Sequence, residues 1–262
     1  MNMPSLLHRL KRVATAAVCG DDKPAFRFEN DGYCNCCDSK TTFVAESSWF
    51  RDYYQCNRCG CIPRERALMY AIEKFIPDWR QVIIHESSPA PRGASLKLSK
   101  EAAQYIPSHY RPDQSGGALY NGVRCENLEQ LSFADESIDL HVTQDVFEHL
   151  FAPDRAFREI ARTLRSGGMH IATIPLENGI HRSEVTARLL ADGSVEYLSE
   201  PVYHGNPIAD NRSLVTRKWG YDIVDYIYQS SGMTSTILYL DILDLGIRAE
   251  LIEVIVSIKT LK

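Results

Sequence analysis

The spacing of apolar residues along the chain predicts where helices and strands form. Near the start, apolar residues recur at helical intervals, which predicts an amphipathic helix over residues 4–18. A second helix is expected to open at Pro63 and to end before Pro77, because proline suits the first turn of a helix and interrupts its interior. The pattern then changes to short apolar segments separated by amphipathic ones.

This alternation continues to Pro175 and predicts a layered α/β structure. Helices are expected over residues 94–103 and after Pro153, where Gly167 and Gly168 would supply the stop. Short strands that alternate with helices are typical of a doubly wound parallel sheet. The last two strands favour an antiparallel hairpin at the edge of that sheet. The predicted strands are residues 82–84, 103–106, 138–143, 169–175, 234–240 and 252–258.

Cysteines are concentrated in one short region. Eight are present, and six of them fall between positions 34 and 61. Cys34 and Cys37 are separated by two residues, as are Cys56 and Cys59, and eighteen residues lie between the pairs. This spacing is typical of a four-cysteine zinc site, in which each short turn directs two thiolates at one tetrahedral ion. We therefore predict that these four residues hold one zinc ion.

Two other interpretations of the cysteines stay open. A disulfide pair or unconnected buried thiols would also account for clustered cysteines. Cys36 and Cys61 are surplus to a four-ligand site, and Cys36 could replace Cys37, although only the 34/37 pair matches the spacing of the 56/59 pair. Four thiolates would close the coordination sphere, so the predicted ion is structural.

Composition narrows the class of protein. Of 262 residues, 44% are hydrophobic and 24% are charged, which is typical of a globular protein rather than a disordered or fibrous one. No segment approaches the roughly 20 apolar residues that cross a bilayer, and basic residues interrupt the start of the chain, unlike a signal peptide. We expect a cytoplasmic protein without membrane association. The formal charge of -5 argues against a broad electrostatic contact with nucleic acid.

Three segments carry a family resemblance: Glu126–Leu140, Gln144–Leu150 and Leu164–Ile171. They resemble class I S-adenosylmethionine-dependent methyltransferases of type 11, which have a polar loop and an acidic turn before the fourth strand, a glutamate-histidine pair after it, and a glycine pair before the fifth. The resemblance covers residues 80–176. It implies a Rossmann-like seven-stranded sheet that binds S-adenosylmethionine.

With this resemblance the chain divides into three predicted parts. Residues 1–29 would form the N-terminal helix and a linker, residues 30–62 the small zinc-binding module, and residues 63–262 the methyltransferase domain. A lid-like insert is expected around residues 177–212, because the segment after the fifth strand is longer and more polar than an ordinary connection.

The loop after the first strand departs from the family pattern, which places several glycines beside the cofactor. Here only Gly93 remains, and no acidic residue ends the second strand. The resemblance implies that Glu86 holds the cofactor's ammonium group and that Ser87 or Ser88 binds its carboxylate. The alternative is that these side chains bond their own loop.

Four further residues are candidate cofactor contacts. The resemblance places Glu126 and Asn127 at the adenine, and a polar surface turn is the alternative. Gln144 and Asp145 follow the fourth strand, at the carboxyl edge where open α/β sheets bind their ligands.

Three histidines are candidate catalytic residues. His149 follows the fourth strand and is either a general base or a cap on its loop. His181 and His204 lie in the insert with Arg182 and Tyr203, and we expect these residues to face the methyl acceptor. A solvated loop and a second metal site are the alternatives.

Together these patterns predict methyl transfer from S-adenosylmethionine to an oxygen or nitrogen of a small or medium-sized acceptor. Two alternatives are a non-catalytic binding protein with a degenerate cofactor loop and an interaction scaffold organised by zinc. A third is an RNA methyltransferase, although nucleic acid is the less favoured partner. Its zinc module would bind RNA through charge and stacking. The residues available for that contact are Arg51, Arg58, Arg64, Arg66, Tyr53 and Tyr54.

Overall fold

The computed structural model describes residues 26–177, 182–205 and 212–260. The helix predicted over residues 4–18 lies outside these ranges, as does His181. Within them, no helix is long and apolar enough to span a membrane.

The cysteine-rich region folds as a three-stranded antiparallel sheet. Strand β1 (Phe28–Cys34) pairs along its length with β2 (Ser39–Ala45), and β2 pairs with the two-residue strand β3 (Gln55–Cys56). The short helix α1 (Phe50–Tyr53) lies between β2 and β3. Since Cys34 ends β1 and Cys56 ends β3, the sheet brings the two cysteine-bearing turns together.

Helix α2 (Pro63–Phe75) follows, as the flanking prolines predict. Proline occupies its first turn, and the carboxylate of Glu65 accepts a hydrogen bond from the backbone amide of Ile62 at 3.0 Å, which satisfies a donor that the helix itself leaves free. Its buried face includes Ala67, Leu68, Ala71 and Ile72.

The body of the protein is an eight-stranded sheet in the order β16-β17-β9-β8-β4-β5-β7-β6. The five strands from β9 to β7 are mutually parallel, whereas β17, β16 and β6 each run antiparallel to their inner neighbour. The strands are β4 (Ile83–Ser87), β5 (Gln104–His109), β6 (Leu119–Tyr120), β7 (Val123–Cys125), β8 (Ile138–Gln144), β9 (Leu164–Thr173), β16 (Thr234–Leu238) and β17 (Val254–Ile258).

Helices cover both faces of this sheet. They are α3 (Gly93–Glu101), α4 (Pro153–Thr163) and α5 (Ile223–Ser231), and three short 3-10 helices occur at Trp79–Gln81, Phe147–His149 and Leu243–Leu245. The α/β prediction and the closing antiparallel hairpin are confirmed. The sheet has eight strands rather than the seven expected, because the two-residue strand β6 extends the edge beyond β7.

The end of α4 differs from the prediction. The helix stops at Thr163, before the glycine pair, and β9 already begins at Leu164. Gly167 has a φ of +77°, and the register between β8 and β9 shifts between Ile138 and Leu140. The glycines therefore permit an irregular start of the strand instead of ending the helix.

The segment around residues 177–212 carries short strands of its own. Strand β10 (Glu184–Val185) pairs with β15 (Arg217–Lys218), β11 (Ala187–Leu189) with β12 (Val195–Tyr197), and β13 (Tyr203–His204) with β14 (Ser213–Leu214). The described residues 182–205 and 212–218, here called the insert, contact the turn after β8, since the backbone amide of Thr216 donates to the carbonyl of Glu148 at 2.8 Å.

The core lies in two layers. One buried cluster joins the small N-terminal sheet and α2 to the large sheet, and includes Phe43, Tyr54, Leu68, Val142 and Ile247. The other includes residues of α4, α5 and the facing strands, among them Phe147, Phe157 and Trp219. The small sheet therefore shares a continuous core with the domain that follows it.

Three histidines are buried in the centre of the large sheet. His85, His141 and His170 are at most 1% exposed and stand on the neighbouring strands β4, β8 and β9. Nδ1 of His85 lies 2.8 Å from Nδ1 of His141, and Nε2 of His170 lies 3.0 Å from the hydroxyl of Thr143. Burial lowers the pKa of His85 and of His170 to about 3, and the pKa of His141 well below its usual range.

These histidines make stability depend on pH. Because their folded pKa values lie below 6.5, the unfolded chain takes up protons first, so stability is complete above pH 6.5 and falls as the pH drops towards 3. Between pH 6.5 and 5 we expect a loss of about 2 kcal/mol for each buried histidine. Urea unfolding at successive pH values measures this slope. His170→Met should make the slope shallower, and an unchanged slope would show that His170 is not held neutral in the fold.

Candidate functional site

The carboxyl ends of the parallel strands meet at one edge of the large sheet. In an open α/β sheet this edge is where ligands bind, because the loops that leave it diverge at the change of strand order. The predicted cofactor residues all lie at this edge or in the loops that follow it: Glu86, Ser87, Ser88, Glu126, Asn127, Gln144 and Asp145.

Glu86 is fully buried near the end of β4. Its carboxylate accepts hydrogen bonds from Ser95 Oγ at 2.6 Å, Tyr105 OH at 2.7 Å and Gln144 Nε2 at 2.9 Å. Burial raises its pKa, and the three donors oppose that shift. A carboxylate has about four acceptor positions, so three donors leave about one for a further group.

The two serines occupy the turn from β4 towards α3. Ser87 ends the strand and is 4% exposed. Ser88 has a φ of +57°, and its backbone amide donates to the carbonyl of Ser108 at 2.8 Å. The turn is closed by this bond, which ties the end of β4 to β5.

Glu126 and Asn127 follow β7. The buried Glu126 carboxylate accepts hydrogen bonds from Arg124 Nε at 2.5 Å and from the Ser132 amide at 2.9 Å, and it also accepts from the Ser132 hydroxyl. The side-chain oxygen of Asn127 accepts from the amide of Glu129 at 2.9 Å. These bonds fix the polar loop, and the amide nitrogen of Asn127 keeps two donors.

Asp145 joins the edge of the sheet to the cysteine-rich module. Its Oδ2 accepts from Arg51 at 2.6 Å and lies 3.1 Å from Nε of Arg64, while Oδ1 accepts from the hydroxyl of Thr173 at 3.0 Å. Arg51 also donates to the carbonyl of Leu251 at 3.0 Å. The carboxylate therefore anchors α1 and α2 over the carboxyl edge, a role that sequence spacing does not show.

His109 is a residue that sequence reasoning missed. It ends β5, where the family resemblance expects an acidic residue. Its Nδ1 is buried and has no hydrogen-bond partner among the described residues. Burial lowers the pKa of His109, which favours the neutral ring, and a neutral ring has one nitrogen that can accept a hydrogen bond. The only available signal was its place at the end of a strand.

A second group of polar residues lies in the turn after β8. Glu148, His149 and His204 each place a ligating atom within 4.8 Å of the other two. Glu148 Oε1 lies 3.8 Å from His149 Nε2 and 3.7 Å from His204 Nδ1. Two of the three predicted catalytic histidines are thus brought together. Arg182 and Tyr203 are exposed.

The cysteine cluster brings together the sulfur atoms of Cys34, Cys56, Cys59 and Cys61, all within 4.8 Å of one another. Cys34 lies 3.8 Å from Cys59 and 3.3 Å from Cys61, and Cys37 lies 3.9 Å from Cys56. The seven cysteines that the structure describes are all free thiols. Thiolates on one tetrahedral zinc lie about 3.8 Å apart, since each bond is about 2.3 Å long.

Four of the six residues considered for RNA binding are committed elsewhere. Arg66 and Tyr54 are fully buried, and Arg66 donates to the carbonyls of Tyr54 and Gly246 at 2.8 and 2.7 Å. Arg51 and Arg64 pair with Asp145. Arg58 and Tyr53 are exposed, so the basic and aromatic surface is much smaller than the sequence suggests.

Comparisons with known proteins give one family match. Residues 92–172 match the family model described as a methyltransferase domain. This range includes α3, β5, β7, β8, α4 and most of β9. No curated protein matches the chain.

Several solved structures are similar to the chain. An S-adenosylmethionine-dependent methyltransferase from Mesorhizobium loti has 13% identity, covers 73% of this chain and 97% of its own, and has a TM-score of 0.48. A 1,6-didemethyltoxoflavin-N1-methyltransferase from Burkholderia thailandensis has 10% identity and a TM-score of 0.48, and the alignment covers 75% of this chain and 78% of that one. CalS10 from Micromonospora echinaspora, an amino pentose methyltransferase, has 13% identity and a TM-score of 0.46, and the alignment covers 75% of this chain and 90% of that one.

The contact at Asp145 can be tested by stability. Asp145→Asn removes the charge that two largely buried guanidinium groups share, and it should lower the free energy of unfolding by about 1–3 kcal/mol. Asp52→Asn is the matched control, because Asp52 also pairs with Arg64 but is 43% exposed, and it should cost less than about 1 kcal/mol. Urea unfolding measures both, and equal losses would contradict the anchoring role.

Proposed function

We propose that this chain is a class I S-adenosylmethionine-dependent methyltransferase that transfers the methyl group to an oxygen or nitrogen of a small or medium-sized acceptor. The match of residues 92–172 to a methyltransferase domain supports this proposal. The observation that carries the proposal is the position of the match. It spans β5, β7 and β8, three of the strands whose carboxyl ends form the polar edge described above, and it begins shortly after β4, which carries Glu86.

The residues at this edge suit S-adenosylmethionine. Glu86 keeps about one acceptor position for an ammonium group, and Glu126 keeps about one for the adenine amino group. Ser87 ends β4 and Ser88 follows it in the turn, where the cofactor's carboxylate would bind. Nδ1 of His109, which has no hydrogen-bond partner in the described ranges, suits a ribose hydroxyl and would compensate for the missing acidic residue.

The transfer needs few protein groups. S-adenosylmethionine supplies a methyl group on a positively charged sulfur. The acceptor's lone pair forms the new bond to the methyl carbon as the carbon–sulfur bond breaks, and the sulfur keeps that electron pair. A hydroxyl or charged amine acceptor must also lose a proton. Most of the catalysis then comes from holding the two reactants in line.

The acceptor side is proposed to be the insert and the turn after β8. Glu148, His149 and His204 lie together there, with Nδ1 of His149 2.8 Å from the carbonyl of Leu214. That bond orients the imidazole and leaves its Nε2 directed at the group. Among the described residues, these three are the ones that we propose to promote removal of the acceptor's proton.

The cysteine-rich module is proposed to hold one structural zinc ion through Cys34, Cys37, Cys56 and Cys59. The distances of 3.8 Å between Cys34 and Cys59 and 3.9 Å between Cys37 and Cys56 support this set. Cys61 is the competitor for Cys37, since it lies 3.3 Å from Cys34 and accepts a contact from Arg66 at 3.4 Å.

Metal analysis distinguishes the two ligand sets. We expect about one zinc ion per chain, lost from Cys34→Ser and Cys56→Ser, with unfolding of the module, because binding and folding are coupled. Cys37→Ser should lose the ion as well, whereas Cys61→Ser should keep it. The reverse result for the last two variants would replace Cys37 by Cys61, and absence of zinc from protein purified without chelator would refute the site.

Cofactor binding is tested by calorimetry with S-adenosylmethionine and S-adenosylhomocysteine. Glu86→Gln keeps the shape of the side chain and removes its charge, so it should weaken binding of either ligand by about 1–3 kcal/mol. Glu101→Gln is the control, because this carboxylate pairs with Arg80 on the surface. If the unaltered protein binds neither ligand, the non-catalytic interpretation holds. Equal affinities of the two variants would place the ammonium group elsewhere.

A further inference from the structure

The strongest unexplained feature is the carboxylate of Glu148. The residue is 2% exposed, and neither of its carboxylate oxygens has a hydrogen-bond partner among the described residues. An ionised carboxylate buried without a partner is costly, because nothing replaces the water that solvated it. The other buried carboxylates at this edge, Glu86 and Glu126, have three donors each. Within the described part of the chain Glu148 therefore has no hydrogen-bond donor of its own.

The groups nearest to this carboxylate are two imidazoles. His149 Nε2 and His204 Nδ1 lie 3.8 and 3.7 Å from Oε1, which is too far for hydrogen bonds. The two rings are perpendicular, with centroids 5.1 Å apart. The three ligating atoms thus surround a common point instead of contacting one another.

His149 is oriented as a metal-binding histidine usually is. Its Nδ1 lies 2.8 Å from the carbonyl of Leu214 and donates to it, so Nε2 is the nitrogen left to bind a metal ion. A hydrogen bond from the second ring nitrogen to a backbone carbonyl fixes the tautomer and the direction of a ligand. The pairing of β13 with β14 places His204 opposite Ser213, next to the residue that orients His149.

The backbone around Glu148 is also fixed. Its carbonyl accepts from the amide of Thr216 at 2.8 Å and from the hydroxyl of Thr216 at 3.2 Å. The hydroxyl of Thr216 donates to the carbonyl of Leu150 at 2.7 Å. Hydrogen bonds from the insert therefore fix the position of the turn that carries Glu148 and His149. The insert also contributes His204.

We propose that Glu148, His149 and His204 bind a second divalent metal ion of the zinc type, separate from the ion in the cysteine module. One carboxylate and two imidazoles are a donor set that zinc accepts, at about 2.0–2.2 Å from each atom. Ligand atoms on one such tetrahedral ion lie about 3.3–3.6 Å apart. The two distances from Glu148, 3.7 and 3.8 Å, need to contract by a few tenths of an ångström, and all three atoms lie within 4.8 Å of one another.

Three protein ligands leave at least one coordination position open, unlike the closed set of four thiolates. An acceptor hydroxyl in that position would lose its proton to solvent more readily, since a bound cation stabilises the oxyanion. The oxygen would then take the methyl group as described above. This extension rests on the proposed function, and it specifies a hydroxyl-bearing acceptor; the metal site itself does not depend on it.

Metal content tests the site on the full-length protein. After incubation with zinc chloride and removal of free metal, we expect two zinc ions per chain, and one in Glu148→Gln, His149→Ala and His204→Ala. His204 is 45% exposed, so its substitution should not disturb folding. Tyr203→Ala is the matched control on the same strand and should keep two ions. The proposal is refuted if Glu148→Gln, His149→Ala and His204→Ala hold as many zinc ions as the unaltered protein.

Thermal unfolding gives a second readout. An ion that binds only the folded state raises the melting temperature as its concentration rises. Added zinc should raise it more in the unaltered protein and in Tyr203→Ala than in His204→Ala, in which only the cysteine module is left to bind the ion. An equal rise in His204→Ala would overturn the assignment of that ligand. Calorimetry with S-adenosylhomocysteine on the same variants separates the metal site from the proposed function. A variant that loses the ion and keeps its affinity for S-adenosylhomocysteine bears on the metal site alone.

Discussion

Carboxylates buried at the carboxyl edge of the parallel sheet must find donors, and this requirement organises the whole site. The sheet brings five strand ends together, and acidic residues stand at or just beyond three of them. Glu86 accepts hydrogen bonds from Ser95, Tyr105 and Gln144. Glu126 accepts them from Arg124 and Ser132. Without these bonds the charges would be too costly to bury. The same bonds leave the acceptor positions that a charged ligand can use.

The position of the cysteine-rich module follows from the same requirement. Asp145 is neutralised by Arg51 and Arg64, which stand on α1 and α2. Two contacts at Gly246 also hold the module. Arg66 donates to the carbonyl of Gly246, and Phe43 packs so closely against this glycine that an added Cβ would lie 2.7 Å from the Phe43 ring. Gly246 also has a φ of +64°. A zinc ion bound in this module, as proposed, would therefore stabilise one wall of the site as well as the module's own fold.

The sequence allowed the large elements to be predicted because their physics is local. Hydrophobic periodicity, the prolines around α2 and the terminal apolar segments all act over a few residues. The two-residue strands β6, β13 and β14 are too short to show a period, so the eighth strand and the pairing of His204 with Ser213 could not be predicted. The contacts of Asp145 join residues 94 positions apart and depend on tertiary packing. The choice between Cys37 and Cys61 likewise depends on where β3 places its turn.

Asp145 and Glu148 are three positions apart, yet their surroundings give them different roles. Asp145 has a φ of +50° and directs its carboxylate at two arginines and a threonine. The 3-10 helix Phe147–His149 then turns the chain, so that Glu148 faces two histidines and no donor within hydrogen-bond distance among the described residues. The carboxylate of Asp145 pairs with the arginines that anchor the module, whereas the carboxylate of Glu148 has no hydrogen-bond partner among the described residues. An unsatisfied buried charge lowers stability unless a ligand offsets it, and for that reason the chemistry of this site is better sought at Glu148 than at Asp145.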